Sequence, residues 1–241
     1  MGLSFESFYF EQETYVEAFR GEIKSTEAVL VLHGYPADQG NKNQDIAEWI
    51  STFLKKNCYI MHYPGLGLSK GQFSFKYSIE ISKLFLHHVQ KLGYKKIHLI
   101  GHSWGGFVSL CLLDSLKSVD ANVVLVSPFL KIPTGRKLDD LVKQIYEETS
   151  AFLKHTSIDE MFLELTDISK SENFELFQKK IIKSKYAISI IQALNDLETP
   201  PSIAREFVSK LPALEYQEIN TDHSFTTERS LLKEFILKKL S

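Results

Sequence analysis

Apolar and polar positions follow two rhythms along this chain. SFESFYF (4–10) and TYVEAFR (14–20) alternate apolar and polar residues across a short polar break, which predicts an antiparallel hairpin at the edge of a sheet. AVLVLHG (28–34) and CYIMHYPG (58–65) are nearly continuous apolar runs, the pattern of strands covered on both faces, and the helical stretch DIAEWISTFLKK lies between them. YSIEISKLFLHHVQKLG places Ile81, Leu84, Phe85 and His88 at helical spacing and stops at Gly93. KIHLI (96–100) then reads as a strand, FVSLCLLDSLKS (107–118) as a helix and NVVLVSPF (122–129) as a strand.

The rhythm changes after Phe129. Few strand-like runs occur until Lys185, and Leu138, Leu141, Val142 and Ile145 fall at i, i+3, i+4 and i+7, the stripe of an amphipathic helix. Alternation resumes with YAISIIQAL, PSIAREFVSKL, LEYQEI and a terminal helix, TTERSLLKEFILKKL. Strands alternating with helices predict an α/β domain with a mostly parallel central sheet flanked by helices. The predicted division is a core over 1–129 and 186–241, interrupted at 130–185 by a helical insertion of about fifty residues, well beyond ordinary loop length.

At 241 residues, with 44% hydrophobic and 24% charged, the chain suffices for one sizeable core. Its formal net charge is −2, with basic and acidic residues interspersed, so no basic stripe stands ready for phosphates, and nucleic acid is not expected as a partner. Cys58 and Cys111 each sit in an apolar stretch and read as reduced core thiols, which favours a reducing compartment. MGLSFESFYFEQE lacks a basic start, Glu6 stands where a myristoylation signal wants Ser or Thr, and no run approaches the ~18 apolar residues of a membrane helix. The expectation is a soluble, cytoplasmic protein with no membrane span.

The candidate chemistry begins at GHSWGG (101–106). A GxSxG pentapeptide alone is weak, but here an apolar strand precedes it and an apolar helix follows, the setting of a nucleophile elbow. In such a turn the serine is held in a strained conformation, and Gly101 and Gly105 are small because a side chain would strike the adjoining strand and helix. The helix beyond aims free N–H groups at the same spot.

Four motifs in order, HGYP (33–36), YPGLGLSKG (63–71), GHSWGG and a late acid and histidine, resemble the α/β-hydrolase fold superfamily over nearly the whole chain. The resemblance implies an α/β-hydrolase core with the insertion as a helical cap, Ser103 as nucleophile, and an oxyanion hole from the backbone N–H groups of Tyr35 and Trp104. A serine needs a base and the base an anionic partner, and in this fold the order is Ser, acid, His. After Ser103 only His155 and His223 remain; His155 lies in the insertion, whereas His223 sits in the loop NTDHSF before the last helix, and is preferred. The acid is expected in NDLETPP, as Asp196 rather than Glu198, while Asp222 reads as a turn residue. Asn195 departs from the small residue that relatives often carry there. His102 is expected to pack and hydrogen-bond, and His33 to brace the oxyanion loop. His87 and His88 lack metal-ligand spacing, so neither a metal nor a cofactor is expected.

The resemblance therefore implies a serine hydrolase acting on a small-molecule acyl ester, carboxylesterase-like, through an acyl-enzyme. A thioesterase, acyltransferase or aminopeptidase with the same triad, or a slow-turnover ligand receptor, are the alternatives. A serine nucleophile disfavours epoxide and carbon–halogen cleavage, for which relatives use Asp. Phe129, Tyr146, Phe152 and Phe162 are the expected candidates for an apolar pocket wall.

Overall fold

The computed structural model describes residues 3–21, 25–36, 43–116 and 119–241. Met1 and Gly2, and the predicted helix end at Lys117 and Ser118, lie outside the described residues.

Among the described residues eight strands form one sheet: β1 (Ser4–Phe10), β2 (Thr14–Arg20), β3 (Glu27–Leu32), β4 (Asn57–Met61), β5 (Lys96–His102), β6 (Asn122–Val126), β7 (Ala187–Ala193) and β8 (Glu215–Ile219). They lie in the order β1-β2-β4-β3-β5-β6-β7-β8. β1 and β2 are the antiparallel hairpin at one edge, β2 runs antiparallel to β4, and β3 through β8 pair in parallel. Successive side chains of a strand point to opposite faces, and β3 shows why its run is unbroken. Ala28, Leu30 and Leu32 enter one apolar cluster, while Val29 and Val31 enter a second on the other face.

The helices cover those faces. α1 (Gln44–Trp49) continues into a π-helical turn, Ile50–Leu54, which ends where Lys55 turns left-handed. α2 (Phe75–Lys91) starts at Ser74, whose hydroxyl accepts from the Tyr77 N–H. Its buried stripe is Ser78, Ile81, Ser82, Phe85, Leu86 and Val89; Leu84, expected on that stripe, is turned toward solvent, about 100° around the helix from Phe85. α3 (Trp104–Cys111) is followed by a 3-10 turn at Leu113–Leu116, and α7 (Pro201–Val208) and α8 (Arg229–Leu240) complete the core. Cys58 is buried and Cys111 half-buried, both as free thiols. Among the described residues no helix is long and apolar enough to cross a membrane.

Between β6 and β7 stand α4 (Arg136–Thr149), α5 (Ile158–Ser171) and α6 (Phe174–Lys183). α5 opens with a full capping box between Ser157 and Glu160. Of the α4 stripe, Leu138 and Val142 are buried, while Leu141 and Ile145 are half-buried and line a cleft described below.

A buried carboxylate ties the hairpin to the rest of the sheet. Glu17 of β2, 3% exposed, accepts from His62 Nε2 at 2.9 Å and from Gln44 Nε2 at 2.7 Å. Burial alone would raise its pKa, but these hydrogen bonds hold it below the ordinary 4.5. A depressed carboxylate stabilises the fold above its ordinary pKa, and that contribution is lost as pH falls through the folded value. Glu17→Gln is therefore expected to cost about 1 to 3 kcal/mol at pH 7. It should also flatten the decline of thermal stability below about pH 4.5. Thermal melts of both proteins across that range check this; parallel wild-type and variant curves would contradict it.

Candidate active site

β5 ends at His102 and α3 begins at Trp104, so Ser103 alone makes the turn, at φ 53° and ψ −118°. This backbone is costly for a residue with a Cβ and persists only because its surroundings hold it. The Ser103 N–H donates to Val126 O at 3.0 Å, and its carbonyl accepts from the N–H groups of Gly106 and Phe129, each at 2.9 Å. Two glycines permit the approach of neighbouring chains. A Cβ on Gly105 would lie 2.0 Å from Leu32 O, and one on Gly34 would lie 2.9 Å from Ser103 Cβ. The 33–36 loop therefore runs directly against the serine. Among the described residues the Ser103 hydroxyl has no hydrogen-bond partner, and its residue is 7% exposed.

Asp196, in the loop after β7, and His223, in the loop after β8, meet at 2.7 Å between Oδ2 and Nδ1. The carboxylate, on a residue 3% exposed, is well supplied with donors. Oδ1 accepts from the N–H groups of Glu198 (3.0 Å) and Thr199 (2.8 Å), and Oδ2 from the Thr199 hydroxyl at 2.7 Å and Gln192 Nε2 at 3.2 Å. Burial by itself would raise the Asp196 pKa, but the bond from His223 and the bonds from Thr199 outweigh it and keep the group below its ordinary value. With Nδ1–H committed to Asp196, Nε2 of His223 is left as the basic nitrogen. In this conformation it lies 3.3 Å from Glu198 Oε2. Among the described residues no hydrogen bond joins Ser103 to His223.

His102 and His33 hold loops. His102 Nε2–H donates to His223 O at 2.9 Å, and burial drives its pKa down to about 3. His33 Nδ1–H donates to Gly34 O at 2.7 Å while Nε2 accepts from the Tyr63 N–H at 3.4 Å; burial lowers its pKa to about 3 as well. Both imidazoles are thus neutral braces.

Ser103, Tyr35 and Trp104 line one cleft of about 640 Å³, whose walls also carry Phe75, Phe129, Leu141 and Ile145. Among the described residues the backbone N–H groups of Tyr35 and Trp104 donate to no protein acceptor. Of the four aromatics expected in a pocket wall, Phe129 lines this cleft. Phe152 is exposed, and Tyr146 and Phe162 pack against the core from partly buried positions.

Sequence reasoning missed Thr199, which gives Asp196 two donors, and Gln192, which gives a third. The Asp-x-x-Thr spacing is a signal for the first, since an Asp readily accepts from N–H groups two and three residues on. It also placed Glu198 only as a rival acid, whereas Glu198 stands at the opposite nitrogen of His223.

The fold has close structural parallels at low identity. A monoacylglycerol lipase from Paleococcus ferrophilus superposes with a TM-score of 0.69 at 19% identity, covering 95% of this chain and 98% of that one. A lipase-esterase related protein from Clostridium acetobutylicum gives 0.66 at 19% identity, covering 98% and 99%. The thioesterase domain from the curacin biosynthetic pathway gives 0.67 at 12% identity, covering 98% and 100%. At these identities the likeness is one of fold. No curated protein matches the sequence closely enough to count as a relative. The family described as the alpha/beta hydrolase fold matches residues 27–185, from β3 through the elbow at Ser103 to the end of α6, and the chain belongs to that family.

Proposed function

We propose that the chain is a serine hydrolase that cleaves an acyl ester of small to medium size. The observation that carries this reading is Ser103, held at φ 53° and lining a 640 Å³ cleft, with a hydroxyl that has no hydrogen-bond partner among the described residues. A volume of this order suits a modest acyl chain or aryl group against the apolar walls. Residues 1–129 and 186–241 form the catalytic core, and 130–185 the cap that roofs the cleft through Leu141, Ile145 and Leu165.

In the proposed cycle the Glu198 side chain, 65% exposed, swings into solvent and Nε2 of His223 turns to Ser103. Catalytic hydrogen bonds often tighten only with substrate present. Ser103 Oγ attacks the acyl carbonyl while His223 takes its proton and Asp196 stabilises the imidazolium. The N–H groups of Tyr35 and Trp104 receive the oxyanion. Collapse expels the alcohol, protonated by His223, and leaves the acyl-enzyme. Water, deprotonated by the same histidine, then releases the acid.

A fluorophosphonate probe together with a panel of p-nitrophenyl esters, matched thioesters and aminoacyl amides tests the reading. Covalent labelling and fastest turnover of esters are expected. A folded protein that takes no label contradicts an activated serine, and thioesters or amides outrunning esters by more than about tenfold would move the substrate class.

A further inference from the structure

His155, set aside as a base because it lies in the insertion, is not idle. Its Nε2 lies 2.6 Å from Thr149 Oγ1, and its Nδ1 lies 3.1 Å from the Tyr35 hydroxyl. Thr149 in turn donates its hydroxyl proton to Ile145 O, 2.5 Å away in the last turns of α4. Counting hydrogens orders the set. With its proton given to Ile145, Thr149 Oγ1 can only accept, so His155 carries its proton on Nε2. That leaves the Tyr35 O–H two acceptors within reach, His155 Nδ1 at 3.1 Å and Thr149 Oγ1 at 3.2 Å. All three side chains are thereby hydrogen-bonded to one another.

The ends of this relay are mechanically distinct. Tyr35 belongs to the 33–36 loop that touches Ser103 through Gly34, and its own N–H is the proposed oxyanion donor. Its ring stacks on Phe73 at 4.3 Å and 26° and meets Phe75 at 5.2 Å. His155 and Thr149 belong to the segment between β6 and β7. Backbone bonds from Phe73 N–H to Lys154 O (2.8 Å) and from Thr156 N–H to Phe73 O (3.3 Å) pin His155 from both sides. Burial pushes the Tyr35 pKa up to about 12 and lowers that of His155, so the donor and acceptor keep their roles at neutral pH.

We infer that Tyr35, Thr149 and His155 are positioning residues, a hydrogen-bonded latch through which the docked cap holds the Tyr35 N–H in line with the oxyanion. This rests on the hydrolase reading above and adds to it a reason for the tyrosine hydroxyl, which an oxyanion donor acting by its backbone does not need. An oxyanion donor acts only in the transition state, so loosening it lowers kcat and leaves KM alone.

The test uses Tyr35→Phe, Thr149→Val, their double variant and Thr149→Ser, with kcat expressed per site titrated by a fluorophosphonate. Tyr35→Phe keeps the stacked ring and Thr149→Ser keeps the hydroxyl. Tyr35→Phe and Thr149→Val are each expected to lose about tenfold to a hundredfold in kcat, with KM within about twofold. The double variant should lose no more than the worse single one, and Thr149→Ser should stay near wild type. Additive losses, losses confined to KM, or wild-type kcat per titrated site in both single variants would overturn the latch while leaving the hydrolase reading intact. Wild-type protein that takes neither label nor ester would remove both.

Discussion

Ser103→Ala is expected to abolish ester turnover and fluorophosphonate labelling while leaving the melting temperature within a few degrees of wild type. The two halves of this expectation come from different parts of the same residue. The backbone of Ser103 is held by its N–H bond to Val126 O and by the bonds its carbonyl accepts from Gly106 and Phe129, all of which alanine keeps. The left-handed φ of 53° is equally strained for either side chain. The hydroxyl, by contrast, has no partner among the described residues whose loss would cost stability. In the proposed cycle it is the attacking atom, and removing the nucleophile from a triad lowers kcat by about 10⁶-fold, leaving only what binding and the oxyanion donors contribute. Turnover within about a hundredfold of wild type would show that another group carries the reaction. Loss of cooperative melting would show instead that the serine is a packing residue.

How much of this was legible before the fold is clearest residue by residue. The strands and the elbow were, because burial on both faces demands unbroken apolar runs and because a glycine is needed wherever two backbones nearly touch. Gly105 against Leu32 is such a place. The carboxylate and its histidine were legible through the order of elements, since both follow strands that end at one edge of the sheet. What lay out of reach depends on contacts between distant segments. Tyr35 and His155 are 120 residues apart in the chain, and nothing local to either announces the other. The aromatics of the insertion show the same limit: helical spacing marks Tyr146 and Phe162 as inward-facing, but whether inward means cleft or core depends on how the helix docks. Leu84 failed for a simpler reason, since a stripe assigned from a few residues tolerates an error of one position, and on a helix that is about 100°.

Asp196→Asn is expected to lower kcat/KM by about 10⁴-fold with little change in fold, and the arrangement of donors around the carboxylate explains both parts. The amide oxygen can take the place of Oδ1 and keep the N–H bonds from Glu198 and Thr199. The amide nitrogen then occupies the Oδ2 position, 2.7 Å from His223 Nδ1, where it donates a hydrogen instead of accepting one. His223 must answer by moving its own proton to Nε2, the nitrogen that in the proposed cycle receives the proton of Ser103, so the base is blocked by tautomer rather than by absence. The Thr199 hydroxyl loses its acceptor at Oδ2 but can turn to Ser127 O, 3.1 Å away. Glu198→Gln discriminates between the two carboxylates that bracket the imidazole. Glu198 faces Nε2 from an exposed position and cannot orient the ring for attack, so its loss should change kcat/KM by less than about tenfold. If Glu198→Gln were the crippling substitution and Asp196→Asn the mild one, the acid of this site would be Glu198, and the ring of His223 would have to turn over before Ser103 could use it.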